Sequence, residues 1–213
     1  MQLPFSHDVF LDVFGAYNSQ VWPAVLLLWV ATAIVVWVWL RGAGVSQRLL
    51  FVLLAVHWAW SGIAYHWLFF RRINSAATIF AALFILQALL FVWLAVGAHA
   101  RAAAPTGARG AVGGALVLYG LIYPFIGLAL GLEYPRLPLF AVPCPTTLIT
   151  VGFLVAAVGV PRVAAVVPVL WALVGSSAAF ALGIRADLAL AVAAALLVLD
   201  LVVPSALGRR AAA

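Results

Sequence analysis

Apolar positions along the chain come in long unbroken runs. They show neither the alternation of a half-buried strand nor the narrow stripe of a surface helix. Seven runs stand out: Val21–Leu40, Leu49–Phe70, Ser75–Gly97, Gly110–Gly131, Thr146–Val160, Val163–Ile184 and Leu188–Leu207. A hydrocarbon core ~30 Å thick takes about 20 helical residues to cross. All the runs but the fifth meet that length. The fifth would span about 22 Å at ~1.5 Å per residue. It is bounded by Pro145 and by the turn Gly159–Val160–Pro161–Arg162. The stretch from Thr146 to Ile184 is too long for one crossing, so the pattern predicts two helices there. A re-entrant fifth segment, leaving six full crossings, is the alternative.

The predicted fold is therefore an all-α polytopic membrane bundle of seven transmembrane helices over residues 21–207. Residues 1–20 precede it and a short cytoplasmic tail, 208–213, follows it. In the first segment Phe5, Val9, Phe10, Val13, Phe14 and Tyr17 recur at helical spacing, with Asp8 and Asp12 between them. That predicts a short amphipathic helix on the outer interface, or an ordered arm covering the bundle. The connections are short. The longest outer one, Leu132–Cys144, carries prolines that predict an ordered cap. No internal repeat is visible, which counts against an inverted-repeat transporter.

Composition sharpens this picture. Of 213 residues, 68% are hydrophobic and 8% charged, against about 25% charged in soluble domains. That excludes an ordinary cytosolic enzyme and a disordered chain. The net charge of +6 is not a nucleic-acid signal, because the basic residues are all Arg and sit singly or in pairs at the ends of apolar runs. Their distribution predicts orientation. One side holds Arg41, Arg48, Arg101, Arg109, Arg162, Arg209 and Arg210, and the other Arg71, Arg72, Arg136 and Arg185. This places the N-terminus outside and the C-terminus inside a bacterial inner membrane, with lipids as neighbours. The start, MQLPFSHDVF, has no basic n-region or early apolar run, so no cleavable signal is predicted. A single cysteine, Cys144, excludes an internal disulfide.

Ionisable groups inside spans mark function or a specific pair. His57 and Asp200 are predicted at one depth, about 12 Å from the inner face, so they can meet and, with Gln87, form a proton relay. His66 lies near the outer boundary on the opposite face of its helix from His57. At the outer end Pro145 is predicted to open the fifth helix, with Cys144 as its N-cap, where backbone donors favour a thiolate. Cys144, His66 and Glu133 then form a candidate metal set for zinc or a similar ion. Tyr65, His66, Arg71, Asn74, Tyr123 and Glu133 form a candidate ligand-binding set. No CxxCH motif for c-type haem is present, and a b-type haem would need a pairing such as His57 with His99.

The chain also shows a resemblance. Trp58–Asn74 reads WAWSGIAYHWLFFRRIN, and Tyr134–Thr146 reads YPRLPLFAVPCPT. With PFSHDVFLDVFGAYNSQVWP near the start, PVLWALVGSSAAF and the later Asp187, these resemble an uncharacterised bacterial family of small seven-helix membrane proteins, a domain of unknown function. The resemblance covers nearly the whole chain. It implies a fold and no established activity. Where the family's loop is expected to carry His before the Tyr-Pro pair, this chain has Glu133.

The function expected from these residues is transport or binding of a small solute or metal ion through an outward-facing Cys/His/Glu site. Two alternatives stand beside it. One is an accessory or structural subunit of a larger membrane complex, which would co-purify with partners, whereas a transporter would be stable alone or as a homo-oligomer. The other is a membrane redox or metal protein. No HExxH, GxSxG or paired-carboxylate pattern supports an enzyme.

Overall fold

The computed structural model describes residues 4–98, 102, 104–157 and 159–202. His99, Arg101, the end of the seventh run and the tail at 208–213, with Arg209 and Arg210, lie outside the described residues. Among the described residues there are seven α-helices and no strand. They are α1 (His7–Leu40), α2 (Gln47–Trp60), α3 (Ala77–Gly97), α4 (Gly107–Ala129), α5 (Pro143–Ala156), α6 (Val166–Leu182) and α7 (Ala189–Val202). Five helical stretches are long and apolar enough to cross a membrane: His7–Leu40, Gln47–Arg72, Ala77–Gly97, Gly107–Ala129 and Arg162–Leu182.

The amphipathic start is not a separate helix. Ser6 caps α1 by accepting the Val9 N–H at 3.3 Å, and Asp8 sits in the first turn, where the helix dipole favours an anion. From there α1 runs unbroken through Pro23 to Leu40. It is about 51 Å long at ~1.5 Å per residue. The first turns pack on the loop between α4 and α5, which closes one end of the bundle and defines a cap end. Asn18 fixes them there, donating from Nδ2 to the carbonyls of Pro135 at 2.6 Å and Leu137 at 2.8 Å. Arg136 adds exposed ion pairs to Asp12 at 2.8 Å and Asp8 at 3.3 Å. Trp60 Nε1–H donates to Tyr17 Oη at 2.6 Å, tying the same part of α1 to α2.

α5 is the axis of the molecule. All of its residues but Cys144 are buried, and it packs chiefly on α4. A Cβ on Gly113 would lie 2.4 Å from the Gly152 carbonyl oxygen, and one on Gly152 would lie 2.5 Å from the Gly113 oxygen. The two backbones therefore touch, which small residues alone permit. A buried helix is not held to the length of a lipid-facing one. The fourteen residues of α5 run from the cap to the level of Arg109, whose Nε–H donates to the Val155 carbonyl at 3.0 Å.

α2 continues past Trp60 as a π-helix over Ser61–Phe69 and then a short 3-10 turn. This wider winding, with i→i+5 bonds, is often found at functional positions. Here it sends adjacent side chains to different neighbours. Tyr65 stacks on Phe14 of α1 at 5.3 Å, and His66 meets Phe84 of α3 at 4.8 Å and Trp171 of α6 at 4.9 Å.

Candidate functional site

The cap end holds a cavity of about 400 Å³. Its walls come from the start of α1, the π segment, α3, the cap loop, the first turn of α5 and the last turns of α6. A third of the lining residues are aromatic: Phe5, Phe10, Phe14, Tyr65, Phe70, Phe80 and Trp171. The polar groups are Asn74, Cys144, Ser177 and Asp187. Val174, Ser177 and Ala181 of α6 are both lining and exposed, so the cavity opens on the flank of the bundle.

Local sequence explains how these groups converge. α5 begins earlier than the sequence predicts. Its N-cap is Val142, Pro143 is the first helical residue, and Cys144 is the second. Both Pro143 and Pro145 fall in the first turn, where backbone N–H groups have no intrahelical acceptor, so neither ring removes a helix bond. The first bond of that turn is Thr146 N–H to the Val142 carbonyl at 3.2 Å. Cys144 therefore projects from the first turn of α5 toward the 3-10 turn Arg185–Leu188, which joins α6 to α7. That turn is held by Tyr119, whose hydroxyl donates to the Ala186 carbonyl at 2.9 Å. It carries Asp187, which is 5% exposed. The Tyr123 hydroxyl of α4 donates a hydrogen bond to Asp187 Oδ1. Burial pushes the Asp187 carboxyl up to about 6, and hydrogen bonds from Tyr123 and Cys144 offset part of that rise.

Residues 7–212 match a family of unknown function, DUF6064. The chain belongs to the DUF6064 family. No curated protein and no solved structure matches it. The sequence blocks singled out for resemblance occupy related places in this DUF6064 chain. The WxWxGxxYHxxFFxxIN stretch forms the π segment and one wall of the cavity, and the YPxxPxxxxPCPT stretch forms the cap and the start of α5.

Of the predicted ligand set, Tyr65 and Asn74 line the cavity, and Tyr123 reaches its floor through Asp187. The others do not. Arg71 is exposed, with its guanidinium 3.9 Å from the Trp67 ring centroid. Glu133 is exposed on the loop. His66 is fully buried behind the aromatic wall, and neither ring nitrogen has a hydrogen-bond partner. Cys144, His66 and Glu133 thus do not form the predicted zinc set. Among the described residues no group of three or more His, Cys, Asp or Glu side chains is placed to hold a metal ion. Glu133 is exposed on the loop and His66 faces Phe84 and Trp171, so lying near the same end of the bundle does not bring the three together.

The predicted relay is also dispersed. Thr32 donates its one hydroxyl proton to the Leu28 carbonyl at 2.7 Å. The 2.8 Å contact between Thr32 Oγ1 and His57 Nε2 must then be donated by His57. That places a proton on His57 Nε2, with the ring edge-on to Phe140 at 5.0 Å. Asp200 instead pairs with Arg109 at 2.6 Å, partly exposed at the end opposite the cap. A guanidinium in the first turn of α4 reaches the α7 carboxylate and removes any need for the histidine. Gln87 donates from Nε2 to the Ala164 carbonyl at 3.0 Å, tying α3 to the entry of α6.

Asp187 is not among the candidate site residues predicted from the sequence. Its burial depends on α4, α5 and the α6–α7 turn meeting, which no local pattern encodes.

Proposed function

We propose that this DUF6064 protein is a multi-pass bacterial inner-membrane protein that binds a small solute in the cap-end cavity, with the cap facing outward. The observation that carries the reading is the cavity itself, a chamber rich in aromatic rings with the buried Asp187 and the partly exposed Cys144 paired in its wall. Pockets of this kind, mostly apolar with a few convergent polar groups, are where small molecules bind. A larger groove of about 630 Å³ between α2 and α3 offers only aliphatic side chains and Arg48, so it supplies nothing to orient a ligand.

Membrane embedding is supported by the outward faces of the helices. Leu27 and Phe180 are each 72% exposed and Val96 is 70% exposed. Large apolar side chains stand exposed along α1, α2, α3, α4, α6 and α7. Soluble monomers rarely expose contiguous apolar patches of this extent. The orientation rests on the Arg distribution. In this frame all seven helices cross, with α5 sheathed by the others, and the first turns of α1 stand above the hydrocarbon. Binding is favoured over passage through the bundle because His57, Gln87 and Asp200 are each engaged locally, so they do not continue a polar path from the cavity.

The test uses Cys144, the one thiol in the protein. In detergent-purified protein, methyl methanethiosulfonate should reach and modify Cys144. Ala178→Trp, which puts an indole into the cavity from α6, should slow that reaction about tenfold or more. No reaction in the wild type, or indifference to Ala178→Trp, would remove the cavity as a binding site.

A further inference from the structure

The cavity's charge pattern names a ligand class, and this inference rests on the binding reading above. Asp187 contributes the one carboxyl among the lining residues, and no basic side chain lines the cavity. Among the described residues, no cation pairs with Asp187. The groups facing it from each packed element are hydroxyls and a thiol, none of them a cation. Tyr119 and Tyr123 come from α4, Cys144 from α5 and Tyr65 from the π segment. α6 carries no titratable residue, and the one in α7, Asp200, is at the far end. On the turn itself Arg185 is exposed. A buried carboxylate without a counter-charge is strongly disfavoured. It is satisfied by a proton or by a cation that the site admits. Seven of the lining side chains are aromatic rings, and aromatic rings attract cations through their quadrupole, most strongly where water is excluded.

We propose that the occupant is a small organic ammonium with an apolar body, its charge against Asp187 and its body among the aromatic rings. The same ammonium group is offered by a free hydrophobic amine and by the ethanolamine end of a phospholipid at the open flank, whose phosphate would stay outside the cavity. A metal ion does not fit as well, because the lining offers one carboxyl and one thiol and is otherwise nearly all apolar.

The test compares benzyltrimethylammonium with neopentylbenzene, its neutral carbon isostere. Both are assayed by protection of Cys144 from methyl methanethiosulfonate, each rate taken relative to the ligand-free rate at the same pH. The ammonium should protect at concentrations at least about tenfold below those of the isostere. Because its charge is permanent, any pH dependence belongs to the protein. Asp187 is pushed up to about 6, so the site is mostly protonated at about pH 5 and ionised at about pH 8. Protection should be roughly tenfold weaker at the lower pH, in proportion to the ionised fraction. Asp187→Asn should abolish the preference for the ammonium. Asp187→Asn should keep the protection given by the isostere, which separates loss of the charge from a general folding defect.

Equal protection by the isostere overturns the ammonium assignment and leaves the cavity as a site for neutral apolar molecules. Protection by neither probe also overturns it, and indifference to Ala178→Trp separately removes the cavity. The source is read in vesicles of phosphatidylglycerol with and without phosphatidylethanolamine. Cys144 protection that appears when phosphatidylethanolamine is added identifies the lipid headgroup. Protection by the soluble ammonium alone identifies a free amine.

Discussion

Asp187 shows how a single side chain takes its properties from three helices at once. Burial pushes its carboxyl up to about 6, because the low-polarity surroundings favour the neutral form. The folded state therefore holds the proton more tightly than the unfolded chain does. The resulting stabilisation is fully present below about pH 4 and is lost as pH rises through about 6. At ~1.4 kcal/mol per unit, the loss is on the order of 2–3 kcal/mol. Thermal unfolding in detergent should thus show a lower Tm at about pH 8 than at about pH 4.5. Asp187→Asn, which is neutral throughout, should flatten that difference. A variant with the same pH dependence as the wild type would mean that another group carries it. His57 illustrates the opposite case. It is an ionisable residue inside an apolar run, and its hydrogen bond to Thr32 accounts for it as a structural tie between α2 and α1.

At the scale of the element, the α4–α5 pair sets the position of everything at the cap, since α4 supplies Tyr123 and α5 supplies Cys144. Two neighbouring glycines test that contact. A methyl on Gly113 would collide with the backbone of α5, whereas one on Gly114 would meet only Leu40 Cδ2 at 3.7 Å. Gly113→Ala should destabilise by on the order of 1–3 kcal/mol or more, as overpacking does. Gly114→Ala should be neutral or slightly stabilising, because alanine is the better helix former by about 1 kcal/mol. Equal effects of the two on thermal unfolding would contradict the close approach of the helices.

Most of the elements were legible in the apolar runs, because a run of that length has few alternatives to a helix. The cap was legible too, from the prolines of Leu132–Cys144. Three features were not. The start of α5 shifted by two residues because a second proline in the first turn meets no penalty there. The π winding of Ser61–Phe69 changes which neighbours Tyr65 and His66 face, and hydropathy carries no trace of hydrogen-bond register. The candidate site was legible in part. Cys144, Tyr65, Asn74 and Tyr123 came from their positions at helix ends on one side of the apolar runs, whereas Asp187 and the aromatic lining from α1 and α6 depend on packing between distant segments.

For the whole molecule, the proposal is a membrane bundle closed at its outer end by the cap loop and the first turns of α1, with one chamber beneath them. The reading makes membrane crossing, orientation and cavity access depend on one another, and Cys144 reports all three. The most direct measurement is labelling of the unmodified protein with a small, membrane-impermeant thiol reagent. It is applied to cells with a permeabilised outer layer and to inside-out inner-membrane vesicles. Labelling should occur from the outer side in the membrane fraction and should be slowed by Ala178→Trp. Labelling from the vesicle side alone, or recovery of the protein in the soluble fraction, would contradict the account.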